Sequence, residues 1–387
     1  MQQPYQVAVI GAGVFGAWTA LRLRELGRSV LLLDAYGPGN SRASSGGETR
    51  IIRMSYGPDE LYAISSLASL QRWRDFAART RQPLFVETGV LWLAQRDDRY
   101  TAAGFEMLAR LGVRVERFSR AELARRYPQI ALSDIEWGFL EPESGALMAR
   151  RAVQAVVAEA IKLGVEYRHE AIAPPAGEES ACAELHTLSG DPIAAEQFVF
   201  ASGAWLPKLF PDVVGARMFP TRQEVFFFGV PADDARFACD FLPPQLPIWL
   251  VHGEDVYGFP DLDGRGFKIS IDRHGPAFDP DSGSRVPTAA GESAVRAYLA
   301  RRFPALAHAP VVETRVCQYE NTWNGDFLID RHPRWPNVWL CGGGSGHGFK
   351  HGPMVGEYMA GMVTGAATAE PRFSLASKHS MQQREVY

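Results

Sequence analysis

Residues 7–34 constrain this chain more than any other stretch. Val7-Ala8-Val9-Ile10 is an apolar run short enough for a buried strand, and Gly11-Ala12-Gly13-Val14-Phe15-Gly16 follows it directly. A helix pattern comes next, with Ala17, Ala20 and Leu21 on one face and Arg22, Glu25 and Arg28 on the other. A second apolar run, residues 30–33, ends in Asp34. Each glycine has a physical assignment in such a unit. Gly11 makes the turn, Gly13 lets the backbone approach a pyrophosphate, and Gly16 allows close helix–strand packing. Val14 and Phe15 begin the helix, where unpaired N–H groups and the positive dipole end favour phosphate oxygens. Asp34 falls where an acid accepts hydrogen bonds from ribose hydroxyls. An ordinary glycine-rich loop would not need strand, helix, second strand and acid in register. The stretch reads as a dinucleotide site without saying which dinucleotide.

A chain of 387 residues exceeds one compact core and predicts two domains, possible only as interleaved segments if both chain ends serve the first. A net charge of −4 calls for no nucleic acid and no anionic membrane surface. Gly, Pro or charge interrupts every apolar run before the ~20 residues of a membrane span. Met1-Gln2-Gln3-Pro4 lacks the basic and apolar regions of a secretory signal. The four cysteines (182, 239, 317 and 341) are scattered, with no metal-ligand spacing, so no metal site is expected. The expectation is a cytoplasmic protein with free thiols.

Along the chain, residues 37–50 are small and polar, running Gly37 to Ser44-Ser45-Gly46-Gly47-Glu48-Thr49-Arg50. They read as a solvated linker or as a loop lying along a cofactor. Arg50 and Arg53 are three apart, able to share a helical face or a common partner. A helix is predicted over 60–76, with Leu61, Ile64, Leu67 and Leu70 as core candidates, and a strand over 86–94. Ser119-Arg120-Ala121-Glu122 has capping-box spacing and should start a short helix before Pro128. The clearest amphipathic helix is 149–163, where Val153, Val156, Val157, Ala160 and Ile161 recur at helical spacing. Strands are predicted at 165–168 and from 198, the latter leading to Gly203 and Trp205, with a surface hairpin over 172–195. Segments 221–230, 247–259 and 266–272 are strand-like. In the last of these, alternation sets Phe267, Ile269 and Ile271 against Lys268, Ser270 and Asp272, the second set being an ordinary solvent face unless covered. A helix over 293–302 leads to a strand that projects Cys317 and Tyr319 to one face. After a strand over 337–341 comes a second glycine turn, Gly342-Gly343-Gly344-Ser345-Gly346-His347-Gly348-Phe349-Lys350, and a helix over 353–362. The segment beyond Pro371 reads as a mobile polar tail.

These pieces resemble a known family over nearly the whole length, the D-amino-acid-oxidase-type flavoproteins, and within them the monomeric sarcosine oxidase and N-methyltryptophan oxidase group. The resemblance rests on Gly11-x-Gly13-x-x-Gly16 with Asp34, Gly47-Glu48-Thr49-Arg50-Ile51-Ile52-Arg53, Tyr257-Gly258-Phe259-Pro260 and Gly266-Phe267-Lys268. Cys317-x-Tyr319, Asp326 to Asp330 and Gly346-His347-Gly348-Phe349-Lys350 complete it. It implies an α/β (α+β) architecture, with a Rossmann-like FAD-binding domain interleaved with a substrate domain on a mainly antiparallel sheet. The corresponding boundaries are 1–85, 146–215 and 318–387 for FAD, and 86–145 and 216–317 for substrate. By the resemblance, Cys317 bonds the flavin through a thioether, with Arg50 supplying positive charge, although a strand cysteine is by itself as readily a small buried hydrophobe. Arg53 and Lys350 grip a substrate carboxylate. Lys268 activates dioxygen, and Tyr257 and Tyr319 form aromatic walls. Ser44, Ser45, Thr49, Gly344, Gly346, His347 and Gly348 lie along the isoalloxazine, and Gly203 and Trp205 line the cofactor.

Two departures from the family pattern bear on the substrate. Asp272 stands where sarcosine oxidases carry histidine; it either selects a second cationic group or pairs with Arg273 or another cation. Glu320 to Gly325, with Trp323 and Asn324, replaces the usual segment after Tyr319. The implied activity is that of an FAD-dependent amine oxidase on a secondary, N-alkyl amino acid. A hydride leaves the carbon beside the amine for flavin, the imine hydrolyses, and dioxygen becomes hydrogen peroxide. Oxidation of glycine or another primary amino acid, and a flavin dehydrogenase using another acceptor, are the alternatives. The expected partners are small molecules only, acting on a monomer.

Overall fold

The computed structural model describes residues 5–177, 179–230 and 239–379. Three sheets organise them. The first has strand order Leu328–Arg331, Val338–Gly342, Pro192–Phe200, Tyr5–Ile10, Val30–Leu33 and Glu166–Arg168, with Glu184–His186 pairing onto Pro192–Phe200. Its central pairs are parallel, Val9 lying opposite both Val199 and Leu32. Parallel strands are buried on both faces, which is why they read as unbroken apolar runs. One face is covered by helices Val14–Glu25, Ala149–Lys162 and Gly352–Thr364, and the other by Phe210, Val214 and Trp335.

The second sheet runs Val311–Thr322, Met218–Phe228, Phe267–Ile271, Val256–Phe259, Ile248–Val251, Val90–Ala94, Trp137–Glu141 and Glu116–Ser119. Its pairs are antiparallel except Ile248–Val251 with Val90–Ala94. Helix Ala289–Arg302 packs on one face through Val295, Tyr298 and Leu299, against Phe226, Trp249, Phe267 and Ile269. The opposite face looks toward the first sheet. A small third sheet, Arg50–Ile52, Gly145–Leu147 and Phe85–Val86, joins the two.

Several sequence expectations need correction. Helix Glu60–Thr80 buries Tyr62, Ser66, Leu70, Trp73 and Phe76, whereas Ile64 and Leu67 are exposed; the small residues of the helix face the core so that Trp73 can fill it. Ile161 is likewise exposed. Gly89 breaks the expected 86–94 strand into Phe85–Val86 and Val90–Ala94, and a turn at 252–255 folds 247–259 into a hairpin. The strand Val311–Thr322 stays in the second sheet throughout, so the expected 317/318 boundary falls inside one strand. Arg50 begins a strand rather than sharing a helical face with Arg53. Beyond Pro371 the chain is packed rather than mobile. Phe373 is buried, and Arg372 bonds both Asp59 and Asp326. The remainder of that segment, 380–387, lies outside the described residues.

Candidate active site

A cavity of about 330 Å³ runs between the sheets, bounded by Gly11, Gly13, Val14 and Phe15 at the first glycine turn and by Gly344, Gly346 and Gly348 at the second. The local chemistry shows why these residues stand there. Gly11 adopts φ +108°, and a Cβ on it would lie 2.3 Å from the Ala201 carbonyl oxygen. A Cβ on Gly16 would lie 1.8 Å from the Gly11 oxygen, so Gly16 holds the helix against the turn without itself lining the cavity. No side chain caps the helix at Gly13. The Val14 N–H donates to Ser45 Oγ at 3.1 Å, and the Ala12 N–H to Asp34 Oδ2 at 2.7 Å. Asp34 Oδ1 takes the Tyr36 N–H, which leaves lone-pair capacity toward the cavity. Burial raises the Asp34 pKa against those backbone hydrogen bonds. Trp205 faces Tyr36 with ring centroids 5.5 Å apart, and with Gly203 and Ser44 lines the same cavity.

A second cavity, about 90 Å³, adjoins the first and shares Arg50, Tyr319, Ser345, Gly346 and Phe349 with it, while Cys317 lines the second alone. Strand alternation delivers Lys268 and Asp272 to it while Phe267 and Ile269 enter the core, so the polar face of this strand is covered rather than solvated. Lys268 Nζ donates to Thr49 O at 3.1 Å and Thr49 Oγ1 at 3.0 Å, and sits 4.1 Å over the Phe259 ring. Burial, reinforced by Arg50, lowers its pKa well below the ordinary lysine value. Arg50 donates to Thr49 O at 2.9 Å, to Ser44 O at 2.6 Å and to Cys317 Sγ at 3.3 Å.

Arg53 and Lys350 bring two more buried cations to the same cavity. The Arg53 guanidinium lies 4.5 Å over the Tyr56 ring and 5.1 Å over Trp92, and donates to Ser55 O. Its loop is pinned by Glu141, a fully buried carboxylate that accepts from the Met54 and Ser55 N–H groups, Trp92 Nε1 and Ser144 Oγ. Four donors satisfy that charge; leaving one of them unpaired would cost about 1–3 kcal/mol. Lys350 Nζ donates to Tyr56 Oη at 2.7 Å and to His347 O at 3.0 Å. Burial and the neighbouring Arg53 lower the Lys350 pKa well below its ordinary value.

Asp272 accepts a hydrogen bond from Tyr319 Oη and lines the cavity, while Arg273 pairs instead with Asp255 at 3.2 Å. Arg273 is thus engaged elsewhere, and the cations acting on Asp272 are Arg53 and Lys350. Burial raises the Asp272 pKa, opposed by Tyr319, Arg53 and Lys350. Tyr257 and Tyr319 form adjoining walls, and His347 closes another side with its Nε2 at 3.0 Å from Gly325 O.

Of the cofactor-side residues singled out from sequence, Gly11, Gly13, Val14, Phe15, Asp34, Ser44, Ser45, Arg50, Gly203, Trp205, Gly344, Gly346 and Gly348 line the larger cavity, whereas Cys317 lies with Arg53, Thr49, Tyr257, Lys268, Asp272, His347 and Lys350 at the smaller and Gly16 at neither. Sequence reasoning missed Tyr56, Trp92, Glu141, Glu320 and His351. Glu320 lines the larger cavity and accepts from Ser44 Oγ at 2.7 Å. His351 follows Lys350 directly and sits four residues after His347, a helical spacing that was the one available signal. Among the described residues, no cluster of His, Cys, Asp and Glu is gathered to hold a metal, and no helix is long and apolar enough to cross a membrane.

A parallel nucleotide sheet with a glycine-turn cradle, opening onto a cation-rich cavity roofed by an antiparallel sheet, defines a flavin-type oxidoreductase. The model of the family described as FAD dependent oxidoreductase matches residues 6–362. Monomeric sarcosine oxidase of Bacillus sp. (strain NS-129) is 30% identical, over 95% of each chain. N-methyl-L-tryptophan oxidase of Salmonella heidelberg (strain SL476) is 27% identical, over 96% of this chain and 97% of that one. Among solved structures, L-proline dehydrogenase from P. horikoshii superposes with a TM-score of 0.82 at 20% identity, over 97% of this chain and 98% of that one, a likeness of fold. The chain belongs to the FAD dependent oxidoreductase family, and it is an FAD-binding enzyme. The cradle fits that cofactor: Gly11, Gly13 and the open helix start suit the pyrophosphate, Asp34 the adenosine ribose, and the second glycine turn the flavin end.

Proposed function

We propose that this enzyme oxidises the C–N bond of a small N-alkyl amino acid. The observation that carries the reading is the convergence of buried Arg53 and Lys350 on a small cavity whose wall also holds Lys268 and Cys317. Two cations side by side in low dielectric are costly unless an anion joins them, and a substrate carboxylate is that anion. Gripping it fixes the adjacent C–H bond in one orientation, the positional part of the rate enhancement. Bound FAD would accept the hydride and return the electrons to dioxygen, giving hydrogen peroxide. Lys268 places its amine at the cavity wall, where the negative charge that develops as oxygen is reduced favours the ammonium form. Arg50 donates to Cys317 Sγ and so fixes the sulfur in the wall of the smaller cavity, in position for a thioether to the flavin. Asp272, facing the same cavity from beside Tyr319, suits a substrate with a second cationic group.

The cofactor portion takes 1–85, 146–215 and the chain beyond the Val311–Thr322 strand, and the substrate portion 86–145 and 216–322. Action as a monomer is supported by the name of the sarcosine oxidase relatives. The test is a panel of N-methyl and N-carboxymethyl amino acids, with glycine and diamino acids included, scored by peroxide release and by anaerobic bleaching of the flavin. N-alkyl amino acids should bleach it. Failure of every carboxylated amine to do so would overturn the reading.

A further inference from the structure

A chain of hydrogen bonds leads from Lys350, in the wall of the small cavity, to helix Glu60–Thr80. Lys350 Nζ lies 2.7 Å from Tyr56 Oη, Tyr56 Oη 2.8 Å from His351 Nε2, and His351 Nδ1 2.9 Å from Ser65 Oγ. Lys350, Tyr56 and His351 are buried, whereas Ser65 is partly exposed on helix Glu60–Thr80. Tyr56 has one proton to give. Of its other neighbours, His347 Nδ1 lies farther away at 3.3 Å with Nε2 already directed at Gly325 O, and Ser66 Oγ leads only to the Arg53 carbonyl, to which it donates at 2.8 Å. The short path therefore runs through His351.

We propose that Tyr56, His351 and Ser65 form a proton relay that sets the charge on Lys350 from solvent while the cavity is occupied. The inference rests on the reading of Lys350 as a carboxylate-gripping cation.

The relay balances in both directions. With Lys350 charged, it donates to Tyr56, Tyr56 donates to His351 Nε2, and His351 Nδ1–H donates to Ser65. Outward transfer moves one proton at each link: Lys350 to Tyr56, Tyr56 to Nε2, Nδ1 to Ser65, and Ser65 to water. Lys350 ends neutral, His351 ends as the Nε2–H tautomer, and Tyr56 and Ser65 are unchanged in proton count. Uptake is the reverse, and it restores the first tautomer. No step makes a charged imidazole a resting state, in keeping with burial, Lys350 and His347 lowering the His351 pKa well below its ordinary value. Arg53 disfavours charge on Lys350, Asp272 and Glu141 favour it, Lys350 in turn lowers the pKa values of His347 and His351, and Tyr62 packs its ring against His351. An arriving carboxylate tips that balance toward the ammonium, so binding draws in a proton that the buried amine cannot take directly from water. Tyr56, His351 and Ser65 are positioning residues in this account, acting through Lys350.

The experiment mixes the flavin-loaded enzyme with acetate, which carries no titrating amine, in weak buffer at about pH 9, below the ordinary lysine value. Binding is read from the flavin spectrum and proton uptake from an indicator dye, both by stopped flow. Wild type should take up protons as acetate binds. Ser65→Ala and His351→Gln should slow that uptake about tenfold or more, a barrier change near 1.4 kcal/mol, while leaving the equilibrium uptake in place. Ser65→Ala alters only a helix surface and keeps the test alive if His351→Gln fails to fold. Uptake as fast in both variants as in wild type, or acetate binding with no uptake, would overturn the relay alone. Absence of acetate binding would overturn the carboxylate reading, and the relay with it.

Discussion

The Arg50 guanidinium donates to Cys317 Sγ across 3.3 Å, a contact between residues far apart in sequence. It forms because the Arg50–Ile52 strand and the Val311–Thr322 strand approach at the junction of the two cavities. If Cys317 carries the flavin, Cys317→Ser should release all the yellow colour into the supernatant on acid precipitation. A hydrogen bond to a charged group contributes about 1.5–3 kcal/mol. Arg50→Met, which removes that donor, should slow covalent attachment by about tenfold or more, measured as protein-bound flavin against time after adding FAD to the apoprotein. Full colour release from the parent enzyme would refute the bond.

Lys268 is held by two Thr49 oxygens, so its ammonium is oriented before oxygen arrives. A preorganised charge removed from such a position costs about 2.7–4 kcal/mol, or roughly 10²–10³ in rate. Lys268→Met should slow reoxidation of the reduced enzyme by oxygen to that extent while leaving anaerobic reduction by substrate much closer to wild type. An unchanged reoxidation rate would remove Lys268 from the oxygen step.

Much of this site was legible in the sequence, for reasons that differ between residues. Gly11, Gly16 and Asp34 follow from one local unit in which strand, turn and helix must be in register. Lys268 and Asp272 follow from period-two alternation, but alternation alone left their face as ordinary solvent surface; residues from distant segments, Thr49, Arg53, Tyr319 and Lys350, cover it. Ile64 and Leu67 misled because helical periodicity counts apolar residues, whereas Trp73 fills the core and leaves them outside. The role of Glu141 depends on partners distant in sequence, Met54 and Ser55, and so does that of His351, whose spacing from His347 says nothing of Ser65. The segment after Pro371 has polar composition, yet Arg372 and Phe373 tie it down.

That last correction has a measurable consequence. Arg372 bonds Asp326, which is nearly inaccessible, and Asp59, while itself remaining about a third exposed. Removing one partner of a buried pair costs about 3–5 kcal/mol, which solvent at Arg372 and the Tyr62 and Asn324 donors to Asp326 should reduce to about 1–3. Arg372→Ala should lower the urea midpoint accordingly without changing the flavin spectrum. An unchanged midpoint would show the segment to be a passive cover.

Asp272 and Tyr319 present a charged oxygen to the substrate cavity beside Arg53 and Lys350. A charge-assisted hydrogen bond contributes about 1.5–3 kcal/mol, or roughly ten- to a hundredfold in affinity. Asp272→Asn should lower kcat/KM by that factor for an N-alkyl amino acid bearing a second amine, and by much less for N-methylglycine. Equal losses on both would assign Asp272 to holding Tyr319 in place.

The charge on Lys350 gives the grip on a carboxylate its own pH dependence. Burial and Arg53 place its pKa in the free enzyme well below the ordinary lysine value. A bound carboxylate favours the ammonium and so raises that pKa. The sign follows: affinity is full below the free-enzyme pKa and falls as pH rises through it, by up to about tenfold per unit, until the pKa of the complex is reached. Acetate dissociation constants measured across that window should rise with pH in wild type. Lys350→Arg should keep them flat and low, because a guanidinium stays charged, and Lys350→Met flat and high. A wild-type profile as flat as that of Lys350→Arg would mean that Lys350 stays charged in the free enzyme despite its burial, with His347 and Arg53 as its neighbours.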